Sequence, residues 1–132
     1  MATPARELRF AFTFEDYDAA VHLFRDVFGL PTLMVLEEQG GRGVILSVPS
    51  ATLELFDPRH TDAVDRIEAG EPTGGRVRIA VRVDHLGAAA AAAGSAGAEP
   101  VAAPVLTPWG DRNQRFRLSE GLQLTLFEPT QG

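Results

Sequence analysis

Between residues 8 and 14, Phe10, Phe12 and Phe14 alternate with Arg9, Ala11 and Thr13, so an extended chain there has one apolar face and one mixed face. That alternation predicts a half-buried strand. Asp16 then stands where a helix N-cap is expected, and Tyr17, Ala20, Val21, Phe24, Val27 and Phe28 recur at helical spacing. Gly29 and Pro31 end the helix, and His22, Arg25 and Asp26 fall on its wet side. Residues 32–36, 44–48 and 52–56 read as three further strands, with Gln39-Gly-Gly-Arg-Gly as a hairpin turn and Pro49-Ser50 as another. The first half of the chain is thus predicted as βαβββ.

The second half repeats the order. Val77, Ile79, Val81 and Val83 form the apolar face of a strand whose other face carries Arg76, Arg78, Ala80 and Arg82. Asp84 is the expected cap of an alanine-rich helix that frays through Gly94 and Gly97. A short strand near 100–106 and two longer ones over 113–118 and 121–127 complete the half. The two halves also echo each other residue by residue. Arg9-Phe-Ala-Phe-Thr-Phe-Glu-Asp matches Arg78-Ile-Ala-Val-Arg-Val-Asp-His at an offset of 69, and Leu53-Glu-Leu-Phe-Asp-Pro matches Leu124-Thr-Leu-Phe-Glu-Pro at an offset of 71. Two copies of one unit in a single domain over 1–132 are expected: module one over about 6–58, a linker over about 59–75 and module two over about 76–129. The linker holds Pro72, Gly74 and Gly75 beside a polar helical segment over 62–69, which suits an exposed connection.

Composition narrows the chemistry. The 132 residues contain no cysteine, which removes disulfides and thiolate metal sites. All 12 basic residues are arginines, so neither a Schiff-base lysine nor a P-loop lysine exists. A net charge of −6 with scattered arginines argues against nucleic acid and anionic membrane as partners. The apolar block at 88–93 is too short to span a bilayer, and the first residues lack the pattern of a secretory signal, so the cytoplasm is the expected address.

The paired βαβββ pattern, together with Phe14-Glu-Asp-Tyr-Asp-Ala-Ala-Val-His-Leu-Phe-Arg-Asp-Val-Phe-Gly-Leu, Thr52-Leu-Glu-Leu-Phe and the segment from Pro108-Trp-Gly-Asp-Arg to Leu126-Phe-Glu, resembles the vicinal oxygen chelate superfamily. This group contains glyoxalase I, the bleomycin-resistance proteins and the extradiol dioxygenases. The resemblance implies an α+β fold in which two βαβββ modules form a curled mixed sheet around a concave cavity, and it implies a homodimer. In metal-dependent members, the first and last strands of each half supply four ligands, commonly His, Glu, His and Glu. The corresponding positions here are Arg9, Glu54, Arg78 and Thr125. A guanidinium is always cationic and offers no lone pair, and a lone threonine hydroxyl is a poor ligand for a divalent ion, so three of the four positions speak against a metal and against catalysis.

Strand parity independently puts Arg9, Glu54 and Arg78 on the non-core faces, where two arginines would clamp one carboxylate. The expected function is therefore metal-independent binding of a small organic molecule, without a cofactor. Arg9, Arg78 and Arg82 would orient its polar end, Glu54 would hold the arginines, and Phe56, Trp109, Arg115, Thr125 and Phe127 would line the cavity. The alternative is a lyase or oxygenase dependent on a divalent metal such as Ni, Zn, Mn or Fe, with a rearranged site. The three histidines give it little support, since His22, His60 and His85 all read as surface residues. The run at 93–97 around Ser95 only partly matches a nucleophile elbow and is read as a helix end.

Overall fold

A computed structural model describes residues 7, 9–52 and 54–130, apart from the side chain of residue 120. The chain folds as α+β. Its larger sheet is built by the second module from β3 (Arg78–Arg82), β4 (Glu99–Pro100), β5 (Val105–Leu106), β6 (Asp111–Arg117) and β7 (Gln123–Pro129). The strand order is β3-β7-β6-β4, with β5 also pairing β6; β3 and β7 run parallel and the other pairs antiparallel. The expected strand near 100–106 divides into the two short pieces β4 and β5.

Alternation gives this sheet two unlike faces. Ile79, Val81, Phe116, Leu124 and Leu126 point to one side, where α3 (Leu86–Ser95) covers them with Leu86 and Ala93. Small alanines let α3 lie close to the strands, and its N-terminus is held by a tertiary bond rather than by Asp84. The Leu86 N–H donates to the Glu128 carboxylate at 2.7 Å. The first helix completes this core. It comprises α1 (Tyr17–Val21) and a π-helical stretch over His22–Val27, closed by a Phe28 N–H to Leu23 carbonyl bond of 2.9 Å. Asp16 caps it as expected, accepting from the Ala19 N–H at 3.0 Å. Leu23, Phe24, Val27 and Phe28 pack into the second module's core.

The first module departs from its predicted pattern. Among the described residues its strands are those of one hairpin, β1 (Thr32–Glu38) and β2 (Gly41–Leu46), joined by a tight turn in which Gln39 and Gly40 both have positive φ. The turn is two residues, shorter than the predicted 39–43. Residues 9–14 and the described part of 52–56 belong to no strand, and Phe10 and Leu55 are 63% and 84% exposed. Residues 8 and 53, which these two predicted strands include, lie outside the described residues. Alternation specifies which face of a strand is apolar, whereas a ladder also needs a neighbouring strand, and these segments have none here.

The linker differs too. It carries α2 (Pro58–Ala69), which begins four residues earlier than the predicted 62–69. Asp57 caps it by accepting from the His60 N–H at 2.9 Å, Pro58 suits its first turn, and Gly70 closes it at φ +84, a left-handed conformation costly for other residues. The linker is not merely an exposed connection. Val64, Asp65 and Glu68, at helical spacing, share one face that is buried against the sheet opposite α3.

Candidate functional site

The face of the large sheet turned away from α3 is polar. Register places Arg78, Ala80 and Arg82 of β3 beside Gln123, Thr125 and Phe127 of β7, and these beside Arg117, Arg115 and Asn113 of β6. Four arginines thus share one concave face of a chain whose net charge is −6. Sequence parity anticipates this face for Arg78, Arg82 and Phe127, and the resemblance stated above implies Thr125 and Arg115 beside them.

Arg115 is at the centre, 1% exposed. Its Nη1 donates to Asp65 Oδ1 at 2.8 Å and to Gln123 Oε1 at 3.1 Å, and its Nε donates to Glu68 Oε1 at 3.0 Å and Thr125 Oγ1 at 3.2 Å. The Thr125 hydroxyl donates to Glu68 Oε1 at 2.5 Å and accepts from Arg78 Nη1 at 3.1 Å. Asn113 donates to Glu68 Oε2 at 3.0 Å, and both the N–H and the hydroxyl of Thr73 donate to Asp65 Oδ2 at 2.9 Å. Burial works to raise the pKa of Asp65, but the bonds from Thr73 and Arg115 outweigh it and hold the carboxyl below the usual range. Arg115 Nη2 and Asn113 Oδ1 are buried without a hydrogen-bond partner among the described residues.

Beside this network opens a cleft of about 160 Å³ lined by Glu54, Phe56, Arg76, Arg78, Arg115 and Gln123, together with α2 residues and Gly75. A Cβ at position 75 would lie 3.0 Å from Gln123 Cγ, so a larger residue there would push that side chain aside by a few tenths of an ångström. Arg78 Nη2 lies 3.7 Å from Glu54 Oε1, and Phe56 packs edge-on against His60 with ring centroids 4.5 Å apart.

Of the nine residues predicted for the site, Glu54, Phe56, Arg78 and Arg115 line this cleft, and Thr125 lies behind them. The expected Arg9–Glu54–Arg78 clamp is not formed. Arg9 pairs with Glu7, two residues away, because its segment has joined no strand that would carry it to the concave face. Arg82 lies on the concave face but lines a separate groove, of about 380 Å³, with Val27, Phe28, Val81, Val83 and Asp84. Trp109 sits 52% exposed on the turn joining β5 to β6, and Phe127 is half-buried beside Asn113; neither lines the cleft. His22, His60 and His85 are exposed, and Ser95 ends α3.

Sequence reasoning missed Asp65, Glu68 and Asn113. The available signal was the spacing of Val64, Asp65 and Glu68, one apolar and two acidic residues on a single helix face. The four positions corresponding to family metal ligands do not fit a divalent ion. They carry two guanidiniums, one hydroxyl already shared by Arg78, Arg115 and Glu68, and a single carboxylate. Among the described residues, no cluster of three His, Asp or Glu side chains is arranged to hold a metal. No described helix is long and apolar enough to cross a membrane.

The chain is similar in structure to several solved proteins. The hypothetical protein SA1046 from S. aureus is 13% identical, with a TM-score of 0.60 and 96% of this chain and 95% of that one covered. Lactoylglutathione lyase from Agrobacterium tumefaciens is 22% identical, with a TM-score of 0.54 over the same shares of the two chains. A member of the glyoxalase/bleomycin resistance protein/dioxygenase superfamily from Sphaerobacter thermophilus is 19% identical, with a TM-score of 0.52 and coverage of 92% and 99%. At such identities the likeness establishes the fold alone. No curated protein sequence matches the chain. The sequence profile of one family does match, over residues 8–126, and on that ground the chain belongs to the Glyoxalase/Bleomycin resistance protein/Dioxygenase superfamily.

Proposed function

We propose that this chain is a metal-independent binding protein for a small organic anion. What carries the reading is Arg78. It is largely sheltered, bonded to Thr125, only 3.7 Å from Glu54, and placed in a cleft that also offers Arg76 and the ring of Phe56. Glu54 orients Arg78 and is a weak partner at that distance, so a ligand carboxylate can take its place. Phe56 supplies a stacking surface for an attached ring or chain. At about 160 Å³ the cleft is smaller than an ordinary drug-sized pocket, so it takes the charged head of a ligand whose remainder lies outside. The reading is sequestration rather than turnover, and its place is the cytoplasm.

A second copy of the chain completes the assembly in this reading. Its support is the set of large apolar side chains that the first module leaves exposed, Phe10, Phe12, Leu33, Val35 and Leu55 among them; apolar surface that forms a contiguous patch is what association covers. Light scattering that returned a monomer at all concentrations would remove the homodimer.

The binding site is tested by Glu54→Gln, screened by thermal shift against a panel of aromatic and aliphatic carboxylates. The variant should change ligand affinity while leaving the unliganded melting temperature close to that of the parent chain. Equal ligand affinity would overturn the role of Arg78 and Glu54. Elemental analysis of protein purified without chelator tests metal independence, because stoichiometric Ni, Zn, Mn or Fe with a raised melting point would require a rearranged metal site instead.

A further inference from the structure

α2 is held to the concave face in an unusual way. Of its three buried residues only Val64 is apolar; the others are the carboxylates of Asp65 and Glu68. Glu68 is bonded by Arg115, Thr125 and Asn113 of the sheet, and Asp65 by Arg115 of the sheet and twice by Thr73 of the linker. One guanidinium, that of Arg115, therefore meets two helix carboxylates, and Arg78 reaches Glu68 only through the Thr125 hydroxyl. A face meant only to anchor a helix is served at least as well by apolar residues, because desolvating paired charges consumes much of their attraction. Donors arranged around a buried arginine are instead what recognition of carboxylates needs.

Two further observations point to exchange at this face. Arg115 Nη2 is buried and has no hydrogen-bond partner among the described residues, so α2 leaves one donor of the guanidinium unsatisfied. α2 is also joined to β3 through Gly70 and Gly74, both at positive φ, and the cleft reaches Arg115 and Asp65 from outside. An entry path is therefore present.

We infer that the face formed by Arg115, Thr125, Asn113 and Arg78 is a binding site for a small organic dicarboxylate, and that Asp65 and Glu68 of α2 are its built-in occupants. A ligand offering two carboxylates takes over the bonds of Asp65 and Glu68, and α2 leaves the sheet. The inference rests on the proposed anion-binding function and names the ligand class and the competitor. Affinity in the parent chain is accordingly reduced by the cost of displacing α2.

The test uses the full chain with succinate and glutarate as probes and butyrate as the monoanion control. Glu68→Gln keeps the shape and one acceptor oxygen of the side chain while removing a competing charge. Calorimetry should show roughly tenfold tighter dicarboxylate binding by this variant than by the parent, with no gain for butyrate. Dicarboxylate should also accelerate hydrogen exchange of the α2 amides in both proteins, and Arg115→Gln should abolish the effect. The more severe Asp65→Asn/Glu68→Gln double variant leaves Arg115 uncompensated, and its melting temperature should be restored by dicarboxylate alone; should it not fold, Glu68→Gln decides. Equal affinities of Glu68→Gln and the parent, or binding that leaves α2 exchange unchanged, would overturn the inference. If Glu54→Gln still altered anion affinity in that case, the outer cleft would stand as the site and only the displacement of α2 would fall.

Discussion

In the second module β3 pairs with β7 in the larger sheet, while the segments of the first module that echo them, residues 9–13 and 52–58, form no strand among the described residues. The repeat offsets of 69 and 71 make these the same unit by sequence. What separates them is cover. α3 lies across the apolar face of its own sheet, and the first helix joins it there through Leu23, Phe24, Val27 and Phe28. Committed to the second module's core, the first helix leaves the hairpin β1–β2 with both faces of β1 exposed. An alternating pattern marks a strand, but only a covering layer and a neighbouring strand make it one.

The sharpest way to break this comparison is to truncate one aromatic residue in each module. Phe116 is 1% exposed in the core, so Phe116→Ala should cost about 3–5 kcal/mol by urea denaturation. Phe10→Ala should fall within about 0.5 kcal/mol in a dilute monomer, as surface substitutions do. Were a second copy to cover the first module, Phe10→Ala would weaken dimerisation, and the melting temperature would become less dependent on concentration than in the parent chain. A large loss of stability for Phe10→Ala in the monomer would show that the contrast between the modules is false.

A comparable effect is expected from arginines. Arg115→Ala strands Asp65 and Glu68 as buried carboxylates, at a cost of about 3–5 kcal/mol. Arg9→Ala removes an exposed pair with Glu7 and should leave the urea midpoint unchanged. Both residues are arginines predicted for the same concave cavity, and their different fates come from the sheet that one joins and the other does not.

Much of this was legible before the fold was known. Asp16 announced its cap because capping is local, and Arg78, Arg82 and Phe127 announced a common face because a strand's period is fixed at two. The docking of α2 was not legible. Asp65 and Glu68 look like solvated helix residues until β6 brings Arg115 beneath them, a pairing across 50 and 47 residues that no local pattern encodes. The Arg9–Glu54–Arg78 clamp failed for the converse reason, since correct parity cannot place a side chain whose strand lacks a partner.

A smaller effect comes from pH. The folded pKa of Asp65 is depressed, so the unfolded chain binds the extra proton first as pH falls. Its contribution to stability is complete above the ordinary carboxylate pKa of about 4 and is lost as pH drops through the lower folded value. Urea midpoints between neutral pH and about pH 3 should therefore fall more steeply in the parent than in Asp65→Asn. Parallel curves would show that the buried network is not what titrates.

The smallest effect sharpens the comparison most finely, because it concerns the same ionic chemistry on the wet side of the first helix. Asp26 lies between Arg25, whose Nε donates to it at 2.8 Å, and His22, whose Nδ1 is 3.1 Å away. The bond from Arg25, aided by that from His22, lowers the Asp26 pKa to about 2. The sign is the same as for Asp65: any stabilisation is present above about 4 and disappears as pH falls towards the folded value. All three side chains are nevertheless close to half exposed, and water screens what it does not displace. Asp26→Asn should leave the urea midpoint at neutral pH unaltered, while a carboxyl NMR titration of the parent places Asp26 low. In about 1 M salt, where the screening length is near 3 Å, that titration should move back towards the ordinary value. An Asp26 that held its low midpoint at high salt would be sheltered, and the first helix would then have a covered ionic site of its own like that of α2.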